Sequence, residues 1–315
     1  MKQLEYDIVT ICRRCKSGGA ATQAQRKRNL LQIAVWLTAK HPGLKSANLR
    51  SSHVQFVVNQ ICTEKSTKSG EVLGSGRQKN LLSSLRWLLE RLGKSGLLPR
   101  SNDALGIPRR NYVPATTRAV AVEDGLIANL AQHCEFTAMS LLLTREFGLR
   151  IEEAHKFRPC EADCGTHVAL RGSWCKGGVP RTIPIRTQSQ RAALDEAARV
   201  AGNGSLIPGG LSYIQHARTA RELLASVGVN RIHGARHQYA QTRFAELAGF
   251  PCPLLGGPTV DAMTVQELST DKVARLTVSK ELGHGRVSVT NVYLGSATRR
   301  QAQPKADREL NRLLG

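Results

Sequence analysis

The stretch Glu281–Gly295, ELGHGRVSVTNVYLG, decides how the rest of the chain is read. It sets a histidine, His284, upstream of a tyrosine, Tyr293, which lies near the end of a short β-branched run. Taken alone the pair means little, and a tyrosine packed behind Val289 and Val292 is the ordinary outcome. Upstream, HGARH supplies His233, Arg236 and His237, SWCKGGVPRTIPI supplies Lys176, and GLRIEEA supplies Arg150 and Glu153. Glu153 falls one helical turn beyond Arg150, close enough to hold its guanidinium.

Charge points to the kind of partner. The 315 residues carry 45 Lys+Arg against 24 Asp+Glu, a net charge of +21. Up to Ala115 there are 20 basic and 6 acidic residues, and beyond it 25 and 18. A basic first part joined to a moderately basic remainder suits a polyanion spanning both, with nucleic acid ahead of anionic lipid. No apolar run of ~18 residues is present, so no membrane-spanning helix is expected. The start, MKQLEYDIVTICRRC, has no apolar signal core, which argues against export. No GxxxxGK[ST] loop is present, which argues against an ATPase.

Eight cysteines are scattered through the chain and read as free, mostly buried thiols. Cys12 and Cys15 form a CxxC with no second pair nearby. Cys160, Cys164, His167 and Cys175 have zinc-ligand chemistry, but their segment reads as hairpin strands in which cysteines pack, so no metal is expected.

Apolar periodicity predicts helices over Ala20–Lys40 and Leu49–Cys62. The leucine stripe Leu81, Leu82, Leu85, Leu88, Leu89, Leu92 predicts another, closed by Gly93. Leu97–Thr117 carries three prolines and reads as an extended linker. A helical region over Val122–Phe147 is broken at Gly148, and Arg150 opens the next helix. Ala169–Ile185 reads as a hairpin with Lys176 at or near its turn. Further helices are predicted over Ser189–Ala201, Leu211–Val227, Gly234–Leu247 and Val273–Leu282. The class is mainly α with one small antiparallel sheet.

The order Arg150, Lys176, His233-x-x-Arg236, His284, Tyr293 resembles the tyrosine recombinase (phage integrase) family, over roughly the last two-thirds of the chain. The resemblance implies a helical core-binding (SAM-like) DNA domain over 1–110, a linker over 111–119 and a catalytic domain over 120–315. It implies site-specific recombination of double-stranded DNA through a covalent 3′-phosphotyrosyl intermediate, by a homotetramer on paired sites, with neither metal nor ATP. Accessory DNA-bending proteins are possible partners, and a cytoplasmic, nucleoid-associated location is expected.

Tyr293 is then the nucleophile, with Arg150 and Arg236 on the phosphate and Lys176 as the acid on the departing 5′-oxygen. His233 polarises the phosphate or handles the tyrosine proton, His284 hydrogen-bonds a non-bridging oxygen, and Glu153 and His237 support them. The chemistry is coherent. A phosphodiester repels nucleophiles and releases a poor leaving group, so several cations must surround it when no metal does.

In the first domain Arg26, Lys27, Arg28, Lys79 and Arg86 are the candidate DNA contacts. Ala235 stands where the family usually has leucine, and the segment between Arg236 and His284 is longer than usual, its surplus lying in Phe250–Lys272. That surplus and the ELGHGR box resemble integrases of mobile elements more than compact Xer recombinases. An Xer-like resolvase, a catalytically silent DNA-binding protein and a type IB topoisomerase are the rival readings. Leu310, Leu313 and Leu314 give the tail one apolar stripe, suited to docking on its own domain or on a neighbouring protomer.

Overall fold

The computed structural model describes residues 2–67, 69–109 and 112–298. The C-terminal leucine stripe and the first residue of the expected linker lie outside the described residues. The chain divides into two compact units, Met1–Asn111 and Tyr112–Gly315.

Among the described residues the first unit has four α-helices: α1 (Gln3–Arg14), α2 (Ala20–Lys40), α3 (Ser51–Thr63) and α4 (Ser75–Arg91). The stripe on α4 buries Leu81, Leu82, Leu85, Leu88 and Leu89, and α2 answers with Leu30, Ile33, Ala34 and Leu37. Each buried leucine contributes about 1.5–3 kcal/mol through the water it excludes. Asn29 is a polar pin inside this apolar seam. Its amide donates to Ser84 Oγ at 2.9 Å and to the Asn80 carbonyl at 3.2 Å, tying α2 to α4.

Helix α1 is not among the elements expected from sequence, although its Leu4 and Ile8 are buried in the same core. The reading of Leu97–Thr117 as wholly extended linker is corrected. Leu98 and Ile107 are buried in the first core, and Arg86 donates twice to the Pro99 carbonyl, at 2.9 and 3.1 Å. The apolar residues between the prolines have somewhere to pack, which composition alone conceals.

The second unit begins with α5 (Asp124–His133) and α6 (Glu135–Phe147), which fill the expected helical region and meet at Cys134, whose φ of −162° is extended. Next come α7 (Ile151–His155), α8 (Pro159–Ala162), β1 (His167–Leu170) and β2 (Arg181–Pro184). The strands pair antiparallel, His167 opposite Pro184 and Leu170 opposite Arg181. Lys176 lies in the connection between them. It opens a turn of 3-10 helix in which Gly177 and Gly178 take φ of +81° and +73°, values that favour glycine.

Helices α9 (Gln188–Ala201), α10 (Tyr213–Ser226), α11 (His233–Ala248), α12 (Val265–Glu281) and α13 (Val287–Leu294) complete the described fold. Helix α11 packs on α6, α12 and α13. The Phe250–Lys272 surplus is not all coil, because α12 begins at Val265. Thr264 caps it, accepting from the Glu267 N–H at 3.2 Å while the Glu267 carboxylate accepts from the Thr264 N–H at 2.7 Å. The β-branched run VSVTNVYL is helix α13, its preference for strand overridden by burial of Thr290, Tyr293 and Leu294.

Candidate active site

The end of α12 organises the site. Gly283 takes φ +65°, its N–H donates to the Lys280 carbonyl at 2.9 Å, and the His284 N–H donates to the Ser279 carbonyl at 2.9 Å. This paired closure of a helix terminus fixes His284 as the next residue of the chain. The three carbonyls left at the terminus each take one arginine. Glu281 O accepts from Arg181 Nε at 2.8 Å, Leu282 O accepts from Arg236, and Gly283 O accepts from Arg150 at 3.4 Å. The negative end of the helix dipole is where cations belong.

Arg236 is fully buried on α11. Its guanidinium also donates to the Gly148 carbonyl, just past the end of α6, so two helix C-termini converge on one charge. Loss of water is the main force on it and brings its basicity down to about 10, Arg150 and Arg181 adding repulsion. It remains a cation at neutral pH. Gly148 is required here on two counts: its φ is +61°, and a Cβ would stand 2.4 Å from the Tyr239 ring.

Glu153 balances the cluster. Burial alone would raise its carboxyl, but Arg181, then the Arg150 N–H and guanidinium, outweigh burial and bring it to about 2. Arg181 donates to both of its oxygens, at 2.6 and 3.1 Å, and Arg150 Nη1 donates to Oε1 at 2.7 Å. Arg181, opposite Leu170 in the hairpin, was not singled out from sequence. Its signal was an arginine in a strand that begins directly after a Gly-Gly-Val-Pro turn, and nothing there distinguishes it from a surface residue.

Tyr293, on α13, is only 6% exposed. Its hydroxyl is 2.7 Å from His233 Nε2 and 3.3 Å from Arg236 Nε. The His284 ring stacks on the Tyr293 ring at 5.2 Å, and the His237 ring lies 4.4 Å away on α11. His284 Nδ1 meets Thr290 Oγ1 at 2.9 Å, leaving Nε2 facing Arg236 at 3.4 Å. A guanidinium only donates, so in this arrangement Nε2 is the acceptor and Nδ1 carries the proton.

Desolvation, followed by the charges of Arg236 and Arg150, lowers His284 to about 3 and His233 to about 4. His237 is lowered to about 4, again by desolvation first, then by His233 and Arg118. All three rings are neutral at pH 7. His233 is exposed as a residue even though its Nε2 is engaged, so its ring stands at the mouth of the site.

Arg150, Glu153, His233, Arg236, His237, His284 and Tyr293 are thus brought together. Lys176 is exposed, with no hydrogen bond or ion pair among the described residues, but its charge reaches far enough to lower His233. The cysteines are free thiols but not mostly buried: only Cys175 and Cys252 are, Cys160 and Cys164 lying exposed on the surface, and no group of three or more metal-ligand side chains is assembled among the described residues.

In the first unit Arg26 lies 4.3 Å over the Trp87 ring and donates to the Ser17 carbonyl, and Arg86 is engaged by Pro99 and Asn102. Lys27, Arg28 and Lys79 make no hydrogen bond or ion pair among the described residues, and Arg28 is exposed.

No family model and no characterised protein sequence matches the chain. Solved structures do. A lambda integrase dimer bound to a COC′ core site matches at 13% identity over 95% of this chain and 96% of that one, with a TM-score of 0.58. XerH site-specific recombinase bound to difH matches at 12% identity over 98% and 83%, TM-score 0.52. The Tn1549 transposon integrase in complex with transposon right end DNA matches at 12% identity over the whole of both chains, TM-score 0.50. The chain has the tyrosine recombinase fold, mainly α with a two-stranded antiparallel sheet. No helix among the described residues is long and apolar enough to cross a membrane.

Proposed function

We propose that the protein is a site-specific DNA recombinase of the integrase type, cutting and rejoining DNA through Tyr293. The observation that carries this reading is the Tyr293 hydroxyl held between His233 Nε2 and Arg236 Nε, beside Arg150 and His284. The hydroxyl attacks the scissile phosphorus, the bond from phosphorus to the 5′-oxygen breaks, and a 3′-phosphotyrosyl ester forms. Neutral His233 accepts the phenolic proton at Nε2. Lys176 gives its proton to the departing 5′-oxygen. A 5′-hydroxyl from the partner strand then attacks the ester and returns a proton to Lys176, the bond from phosphorus to the tyrosine oxygen breaks, and Tyr293 recovers its proton from His233.

Arg150 and Arg236 supply fixed positive charge where the pentavalent phosphorane becomes most negative, at no reorganisation cost during the reaction. The phosphate itself completes the site. Its negative charge opposes the cations that depress His284, so Nε2 can take up a proton and donate it to a non-bridging oxygen.

The integrases of lambda and Tn1549 were solved on DNA, and lambda integrase also as a tetramer on a Holliday junction. By that likeness we infer the same substrate class for this chain, assembly as a tetramer on paired sites, and a mobile-element origin. The basic first unit then serves as the DNA-clamping domain, with Lys27, Arg28 and Lys79 as its free cations and Arg26 and Arg86 as struts. Accessory bending proteins and a nucleoid-associated location accord with this role.

The test is a nicked substrate carrying the element's site. Wild-type protein should become trapped as a covalent adduct on the 3′-phosphate, in the presence of excess chelator. Tyr293→Phe should form no adduct while binding almost as tightly, because phosphate contacts dominate the affinity. An adduct formed by Tyr293→Phe removes the assignment.

A further inference from the structure

A basic recess opens beside His233. It is a cleft of about 520 Å³ lined by Arg118, Asn230, Arg231, His233, Gly234 and His237. Both arginines are exposed, and neither side chain makes a hydrogen bond or ion pair among the described residues. His237 is only 4% exposed, and its Nδ1 is buried with no hydrogen-bond partner. A buried polar atom without a partner costs about 1–3 kcal/mol, and a ligand seated in the cleft would relieve that cost.

The wall carrying Arg118 is held on both sides. Thr117 Oγ1 accepts from Gln241 Nε2 at 2.9 Å, and the Val120 N–H donates to the Gly234 carbonyl at 3.2 Å. The approach is tight, since a Cβ on Gly234 would stand 2.4 Å from Val120 Cγ2. Gln241 Nε2 also donates to the Tyr293 carbonyl at 2.9 Å, so the wall and the nucleophile's backbone share one amide. The floor is the start of α11, where no side chain caps the helix and the dipole favours an anion.

We propose that this cleft seats a second phosphodiester of the DNA backbone, next to the one that Tyr293 attacks, gripped by Arg118 and Arg231 and bordered by His237. The proposal rests on the recombinase reading and deepens it. Held by two guanidiniums, the neighbouring phosphate fixes the strand's register, so that the scissile phosphorus arrives above Tyr293. Arg118 and Arg231 are positioning residues in this account.

The experiment measures binding of the full chain to a labelled random-sequence duplex across a salt series. Arg118→Ala/Arg231→Ala should make the slope of log affinity against log salt shallower by about 0.9, the value for one phosphate contact. Arg218→Ala/Arg221→Ala removes equal charge from the exposed side of α10 and should leave the slope unchanged. The His237 ring nitrogen resonances should move when duplex is added to wild type and stay in place in the Arg118/Arg231 variant. Equal slopes for the two double variants, or His237 resonances that ignore DNA, overturn the cleft. No cleavage is involved, so an absent Tyr293 adduct would remove the recombinase reading by a separate measurement.

Discussion

The last turn of α12 and the turn that carries Lys176 treat positive charge in opposite ways. At the helix end three consecutive carbonyls each receive an arginine, and Glu153 neutralises part of the cluster from beneath. In the hairpin connection Lys176 is exposed, unpaired among the described residues, and carried on two glycines with positive φ. Under the proposed mechanism the difference follows the tasks. Charge that stabilises a transition state works best when fixed beforehand, whereas a proton donor must reach a leaving atom and then withdraw. One site therefore contains a rigid half and a loose half, and each can be broken separately.

Breaking the loose half should have the largest effect on rate and none on folding. Lys176→Ala should slow strand cleavage by ~10²–10⁴, the scale of general acid catalysis. Its thermal midpoint should match wild type, because the ammonium supports no contact. A substrate with sulfur at the 5′-bridging position needs no proton on departure and should restore most of the rate. A variant still slow on that substrate would make Lys176 a DNA contact.

Breaking the rigid half should instead appear in stability. Glu153→Gln keeps the shape of the side chain but removes the only carboxylate among the described residues that pairs with Arg150, Arg181 and Arg236, the last at 4.0 Å. Leaving buried cations uncompensated costs about 3–5 kcal/mol. Chemical denaturation should show that loss near neutral pH. The gap between Glu153→Gln and wild type should close as pH falls from 4.5 through about 2, where the carboxylate itself becomes protonated. A gap of constant size down to pH 2 would mean that the carboxylate is not the keystone.

The two halves also differed in how far they could be read from sequence. Arg150, His233, Arg236, His284 and Tyr293 stood in separate short motifs, and spacing alone put Glu153 on the arginine it holds. The hairpin turn was visible in its glycines and prolines. Arg181 was not visible, because its importance comes from a contact one hundred residues away in sequence, with the Glu281 carbonyl. Helix α13 was obscured by β-branched residues, whose local preference loses to the burial of Tyr293 and Leu294. The start of α12 was legible after all: Thr264-Val-Gln-Glu267 is a capping sequence, overlooked inside a segment rich in proline and glycine.

A smaller effect should come from Gly283→Ala. The new methyl group would need φ +65° and would stand 2.9 Å from Arg181 Cδ, the middle of a flexible side chain. Strain of this kind costs about 1–3 kcal/mol. The damage should be shared between stability and cleavage rate, because Gly283 both closes α12 and sets the position of His284. A variant as stable as wild type but slower than Lys176→Ala would shift the importance of this residue from helix closure to direct phosphate contact.

The smallest effect tests whether the rigid half has its own support. Helix α7, which begins after Arg150 and contains Glu153, ends in His155, a buried residue whose ring lies 4.5 Å from that of buried His216 on α10. His155 Nδ1 meets Ser140 Oγ at 3.0 Å, and His216 Nε2 has no partner. Burial, then the neighbouring imidazole, lowers His155 to about 3. Because the folded value lies below the unfolded one, nothing is lost above pH 6.5. As pH falls from 6.5 toward 3 the unfolded chain takes up the proton first, and stability drops by up to about 1.4 kcal/mol per pH unit. His155→Leu removes that titration and keeps a buried apolar volume, so its stability should decline less steeply between pH 6.5 and 5. Cleavage at pH 7.5 should stay near wild type, since Arg150 is also held by the Gly283 carbonyl and Glu153 by Arg181. Identical acid profiles for wild type and His155→Leu would show that the pair does not limit the fold. A loss of cleavage at pH 7.5 with stability intact would show that Arg150 depends on α7 more than on the carbonyls of α12.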